Sequence, residues 1–237
     1  MVTVADFREQ ACPTVDVVLV DPPFGIGKIY LGEKETVPYE EWVTTLYDWS
    51  RDSCGWLLIL GPFITMATWL PKVPQPTTLL AWHRTFVLPM NVKYWTKSIT
   101  PVLVYNFGGA WYGPTKTDRK FHDCIDAHSS MGDIQRQKKL GLHSQTKGHP
   151  AITGTDFPQK VLSPIVVPGS RVFDPMAGIG SVLVAAQRLE CIVGGYEIVP
   201  EWAELANEWL YLEKGLLNTM RSDLNNGKQA TSAKTSM

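Results

Sequence analysis

Three features of this 237-residue chain predict a doubly wound, mainly parallel α/β sheet. Short apolar runs alternate with helical patterns, the rhythm of strand–helix–strand units. One such run, Val15 to Val20, stops at Asp21-Pro22-Pro23-Phe24, because proline cannot donate to a sheet ladder. A second, Val172-Phe173, ends in Asp174 and passes through Gly178 and Gly180 into a helical pattern. In open α/β sheets ligands bind at the carboxyl ends of strands, so both stretches are candidate sites.

The elements follow in order. After the first strand comes a polar, glycine-containing connection, and then "PYEEWVTTLYDWSRDS", whose Trp42, Leu46 and Trp49 recur at helical spacing. "GWLLILGP" is a short apolar run between glycines and reads as a buried strand. "FITMATWL" is a helix stopped by Pro71, and "TTLLAWHRTFVL" and "TPVLVYNFG" are two further strands. Between residues 109 and 148 the apolar periodicity fades and no strand–helix rhythm is visible, which predicts an inserted segment. Core resumes at 149–217, with a helix over "FPQKVLSPIV", the strand–turn–helix "RVFDPMAGIGSVLVAAQRL", the strand "CIVGGYEI" and the amphipathic helix "PEWAELANEWLYLEKGL". The division is thus 1–108 with 149–217 as one domain, 109–148 inserted, and 222–237 a disordered tail. Trp42, Trp49, Trp202 and Trp209 fall on helical stripes and are assigned to the core.

With 44% hydrophobic and 19% charged residues, the composition is that of an ordinary globular protein. The N-terminus lacks a basic stretch leading into an apolar core, and no run approaches the roughly 18 apolar residues of a membrane span. Cys12, Cys54, Cys124 and Cys191 are scattered without CxxC pairing, and are read as reduced thiols of a cytoplasmic protein. A formal net charge of −1 does not advertise a nucleic-acid binder, yet residues 111–147 carry seven Lys/Arg against four Asp. His122, Cys124, Asp126 and His128 match no zinc spacing and are taken as loop residues, so no metal is expected. Trp111 and Tyr112, at the border of the basic segment, are either nucleic-acid contacts or part of a structural turn, and Lys93 and Lys97 either meet phosphates or simply solubilise the surface.

At the glycine turn, Glu197 ends the next strand 23 residues beyond Asp174, the place of an acid that accepts from ribose hydroxyls. An acid at the strand end repels a pyrophosphate and suits a cationic ligand, which favours S-adenosylmethionine over a dinucleotide.

The motifs DPPF, "KGHPAITGTDFPQKVLSPI", "FDPMAGIGS" and "GYE", in that order, resemble the permuted DNA amino-methyltransferases, in which the catalytic motif precedes the cofactor motif. Where that family often has an acid before "VLVYNF", Thr100-Pro101 stands here. The resemblance implies a Rossmann-like methyltransferase fold whose inserted segment recognises the target. It implies S-adenosyl-L-methionine as cofactor and double-stranded DNA as partner, in a bacterial or phage-infected cell. Asp21, Pro22, Pro23 and Phe24 become the catalytic motif. The Asp21 carboxylate and Pro22 carbonyl accept from the target amine, the paired prolines stiffen that carbonyl, and Phe24 stacks on a base flipped from the duplex. The cofactor is assigned to Asp21, Phe157, Asp174, Pro175, Met176, Ala177, Gly178, Gly180, Ser181, Glu197 and Ile198. An Asp opening the motif points to adenine N6. Cytosine N4, an RNA base, a non-catalytic nucleic-acid-binding module and a nicotinamide-dependent oxidoreductase stand as rivals, and a homodimer is left open.

Overall fold

The computed structural model describes residues 1–25, 29–30, 33–34, 36–85, 98–113, 122–128 and 154–234. Its centre is an eight-stranded sheet. Five of its strands are β1 (Val2–Val4), β2 (Val15–Val20), β5 (Cys54–Leu60), β6 (Thr78–Arg84) and β7 (Ile99–Asn106). The others are β8 (Cys124–Ala127), β9 (Arg171–Asp174) and β10 (Ile192–Glu197), while β3 (Ile29–Tyr30) and β4 (Glu33–Lys34) form a separate two-stranded pair. The spatial order is β1-β10-β9-β2-β5-β7-β6-β8. Every neighbouring pair is parallel except those made by β7, which runs against both β5 and β6.

Helices α1 (Tyr39–Ser50), α2 (Met66–Trp69), α3 (Asp156–Leu162), α4 (Ser181–Arg188) and α5 (Pro200–Lys234) complete the fold. The central strands β2 and β5 are continuously apolar over Val17–Val20 and Trp56–Leu60, so alternate residues feed opposite faces. Val18, Val20, Leu57 and Ile59 pack with Tyr39, Val43 and Leu46 of α1. Val17, Leu19, Leu58 and Leu60 pack with Phe157, Val161 and Leu162 of α3. Each such side chain, fully buried, contributes about 1.5–3 kcal/mol. The helices over α3's side are pinned by the Arg188 guanidinium, which donates to Glu213 at 2.8 Å and to the Thr155 hydroxyl at 2.6 Å.

Connectivity creates the crevice. From β2 the chain crosses through α1 to β5 on one side, and from β9 it crosses through α4 to β10 on the other. The adjacent strands β9 and β2 therefore flank the point where the winding reverses, where α/β sheets open to ligands.

The structure differs from the sequence reading in two places. The polar segment 109–148 contributes β8, which pairs in parallel with β6 and extends the main sheet. Cys124 and Asp126 are therefore strand residues rather than loop, and His128 follows directly, its amide donating to the Asp156 carboxylate at 2.7 Å. The tail expected to be disordered from residue 222 is helical backbone over 222–234, as the continuation of α5. It contains no proline, and Lys228, Gln229, Ala230 and Ala233 are good helix formers. Among the described residues no helix is long and apolar enough to cross a membrane.

Candidate active site

Strand register sets the geometry. Asp174 is level with Gly195 on β10, and Val18 is level with Phe173, so Asp21 and Glu197 each stand about two residues, ~7 Å, further along the same edge. Three carboxylates thus crown three adjacent strands, β2, β9 and β10.

Asp174 is 2% exposed, and its Oδ1 accepts from the Met176 amide at 3.0 Å. Burial pushes its pKa well above the usual carboxylate range; the Met176 N–H opposes that, and the Asp21 and Glu197 charges add to it. Glu197 is also raised, again by burial, against the pull of backbone N–H donors. Its Oε2 accepts from Gly178 at 2.7 Å and its Oε1 from Val199 at 2.9 Å, so one side chain ties the glycine turn to the start of α5.

The turn spends its own amides. Met176 donates to Asp174, Ala177 to the Tyr196 carbonyl, Gly178 to Glu197 and Gly180 to the Ala177 carbonyl. A phosphate-binding turn keeps such amides free for its anion. This one faces its crevice with carboxylates, as a cationic ligand requires. Gly180 caps α4 at φ +90°, a left-handed conformation, and a Cβ there would meet the Ala206 Cβ at 3.0 Å. Pro175, Ala177 and Ser181 are buried within the turn, Met176 and Gly178 are half-buried, and Ile198 is exposed beyond Glu197.

On the β2 side, Asp21 is half-exposed, Pro22 buried, and Pro23 and Phe24 half-buried. The Phe24 ring meets Tyr39 edge-on, 6.1 Å between centroids. Tyr39 packs on Trp69 at 4.7 Å, and its hydroxyl donates to the Leu60 carbonyl at 2.8 Å. Burial raises Tyr39's pKa well above its usual value and the Asp21 charge adds to it, so the ring stays neutral. Gly25 turns the chain at φ +66°, where a Cβ would fall 2.9 Å from the Tyr39 amide nitrogen.

One site residue was not singled out from sequence. Arg84 ends β6 at this same edge, with its guanidinium 6.0 Å from the Trp82 ring centre. Burial lowers its pKa and the Asp21 carboxylate raises it, so its charge is felt at the end of β2. The only sequence signal was an arginine closing an apolar strand.

Other expected site residues are placed elsewhere. Phe157 has 0% exposure and stacks on Trp82 at 4.8 Å, which leaves it no free surface for a cofactor; it is a core residue. Trp111 and Tyr112 lie at the opposite edge, anchored through Tyr112 and Gly113 amides to the Pro164 carbonyl and, just before them, Gly109 to Gly55 at the start of β5. Lys93, Lys97, the His149-Pro150 pair and the seven Lys/Arg of the basic segment lie outside the described residues. Among the described residues no three His, Cys, Asp or Glu side chains converge as metal ligands.

No family model and no curated protein sequence matches the chain. Solved structures do. The PvuII DNA methyltransferase, described as cytosine-N4-specific, aligns with a TM-score of 0.63 at 15% identity, covering 85% of this chain and 81% of its own. M1.HpyAVI, solved as its SAM complex, aligns at 0.55 and 18% identity, covering 84% and 90%. TTHA0409 of Thermus thermophilus, a proposed DNA modification methylase solved with S-adenosyl-L-methionine, aligns at 0.55 and 19% identity, covering 89% and 92%. The chain has the Rossmann-like methyltransferase fold. At these identities the likeness establishes architecture, and function has to be argued from the site.

Proposed function

We propose that this chain is an S-adenosylmethionine-dependent DNA methyltransferase that modifies adenine N6 of a base flipped from duplex DNA. The observation that carries the reading is the crown of Asp21, Asp174 and Glu197 over a glycine turn whose Met176, Ala177, Gly178 and Gly180 amides are already engaged. Such a site rejects pyrophosphate and attracts a ligand with cationic groups, which argues against a nicotinamide dinucleotide. Two structural neighbours solved with S-adenosylmethionine support the same choice.

Asp174 and the turn at Gly178 and Gly180 would hold the methionine end of the cofactor. The Glu197 carboxylate, already held by backbone N–H donors, would accept ribose hydroxyls with its remaining acceptor capacity, and Ile198 offers exposed apolar surface beside it. When bound, S-adenosylmethionine supplies an electrophilic methyl group on a sulfonium. Asp21 and the Pro22 carbonyl accept the two N–H groups of the acceptor amine, localising its lone pair and stabilising the positive charge it develops. The two prolines and the Tyr39–Trp69 brace hold these acceptors without reorganisation. Transfer is direct, since Cys12, Cys54 and Cys191 stand at or before strand starts on the far edge of the sheet, and Cys124, on β8, lies four strand spacings (~19 Å) from β2. Burial moreover pushes the Cys54 and Cys191 thiols up to about 11.

Residues 109–148 are the segment we assign to target recognition. A second reading is cytosine N4, favoured by the cytosine-N4-specific name of the PvuII neighbour; the two amines are chemically alike. Incubation with labelled S-adenosylmethionine and mixed-sequence duplex DNA, followed by digestion to nucleosides, separates the outcomes. Label in N6-methyldeoxyadenosine is expected, label in N4-methyldeoxycytidine would transfer the same mechanism to the other base, and no label in DNA would sink the proposal.

A further inference from the structure

The helical turn after β5 carries two large apolar side chains into solvent beside the candidate site. Phe63 is 54% exposed and Ile64 67%. Their position follows from register: Val20 of β2 is paired with Ile59 of β5, so Leu60 is level with Asp21, and Gly61-Pro62-Phe63-Ile64 continue past the same sheet edge. The turn is fixed from beneath. The Trp69 indole N–H donates to the Pro62 carbonyl at 3.0 Å, and the Gly61 amide donates to the Pro101 carbonyl at 2.9 Å. Gly61 lies so close to Tyr39 that a Cβ would fall 2.5 Å from the ring hydroxyl. Tyr39 and Trp69 are the rings that brace Phe24. One rigid unit therefore carries both the stacking ring of the base site and the exposed pair.

We propose, on the footing that the acceptor is a base flipped from a DNA duplex, that Phe63 and Ile64 enter the duplex beside the vacated position and hold its stack open. Extruding a base leaves its neighbours with bare apolar faces, and apolar side chains pushed between base steps replace the lost contacts. Neither side chain has a polar group with which to hold phosphate or read a base edge, which leaves stacking surface as their partner. β5 is the strand next to β2, about 4.8 Å away, so whatever covers the pair adjoins the molecule that delivers the base. A protein docked there would obstruct the substrate. A duplex is the substrate.

The test compares wild type with the double variant Phe63→Ala/Ile64→Ala on a duplex containing the methylated site, its target either paired or mismatched. A mismatched base is already partly unstacked, so the wedge has less to do. Transfer to the paired target is expected to fall about 10-fold or more and transfer to the mismatched target about 3-fold or less, with S-adenosylmethionine binding unchanged. Phe63→Leu/Ile64→Leu, which keeps the apolar bulk, should retain transfer to the paired target. Undiminished activity of the alanine variant on paired DNA would overturn the wedge while leaving the methyltransferase reading intact. Equal losses on both duplexes would also overturn it, placing the pair in the base pocket instead. If the wild type methylates neither duplex, the reading beneath the proposal fails first.

Discussion

The ends of β2 and β9 are adjacent, and each carries an aspartate followed by a proline, yet they are built to opposite specifications. Asp21 is half-exposed, next to a braced aromatic and within the influence of Arg84. Asp174 is sealed, with one carboxylate oxygen occupied by Met176, and burial disfavours its charge. An acid that must meet an incoming acceptor needs an open face. An acid that must select a cation can sit buried and uncomfortable, its charge stabilised only when the cation arrives.

The largest effect should come from the open acid. Asp21→Ala removes a preorganised acceptor aimed at developing charge, and methyl transfer should fall about 10²–10³-fold. Cofactor affinity, measured by calorimetry, should change only a few-fold. Loss of both together with a collapsed fold would erase the distinction between the two ends and make Asp21 structural.

The buried acid should behave in the reverse sense. Asp174→Asn keeps an oxygen to accept from Met176 but cannot become an anion, so cofactor affinity should drop about 10-fold or more, a loss of at least ~1.4 kcal/mol. The unliganded variant should nevertheless melt a few degrees higher at neutral pH, at roughly 2–4 °C per kcal/mol for a protein of this size. The pH dependence has a fixed sign. A carboxyl raised in the folded state contributes stability that is full below the ordinary carboxylate pKa and is lost as pH rises through the raised value. Across that same window a cationic ligand expels the proton, so cofactor affinity in the wild type should rise with pH. In Asp174→Asn both slopes should shrink, leaving the share due to Glu197. A pH-independent affinity in the wild type would show that the ligand does not meet this carboxylate.

A smaller loss is expected at the turn that separates the two ends. Gly180→Ala forces a side chain into the left-handed region at φ +90° and against Ala206. The strain costs about 1–3 kcal/mol, read as a lower urea midpoint, and both ends should suffer it alike.

The sheet and the acid-ended strands were legible because they are written in contiguous residues: an apolar run, an acid, a proline, and glycines at a forced turn. What was missed depends on contacts between distant residues. β8 is a four-residue edge strand, Cys-Ile-Asp-Ala, inside a polar stretch, and only its pairing with β6 reveals it. Phe157 lies on a helix the sequence does show, but the face it turns to the sheet is settled by Trp82, 75 positions earlier in the chain. Arg84 looks like any arginine until register brings β6 to the edge that holds Asp21. The apolar pair Phe63-Ile64 read simply as part of a helix, since spacing does not show that a short turn leaves both outside.

Trp111 and Tyr112 give the smallest expected effect and the sharpest contrast with that pair. By sequence they adjoin the basic segment and suggest a DNA contact. The reversal of β7 carries the chain away instead: it enters at the edge that holds Asp21 and delivers Asn106 beside Trp56, near the start of β5. The two aromatics, 44% and 53% exposed, therefore sit about a strand length, ~17–20 Å, from Asp21. Replacing both with alanine should alter duplex affinity by no more than about 2-fold, the span of ~0.5 kcal/mol typical of surface changes away from a site. Phe63→Ala/Ile64→Ala, also exposed and equally conservative in charge, should instead cut methyl transfer to the paired target. A tenfold loss from Trp111→Ala/Tyr112→Ala would mean that the duplex reaches round to the far edge of the sheet, so that the reversed strand extends the binding surface instead of leaving it.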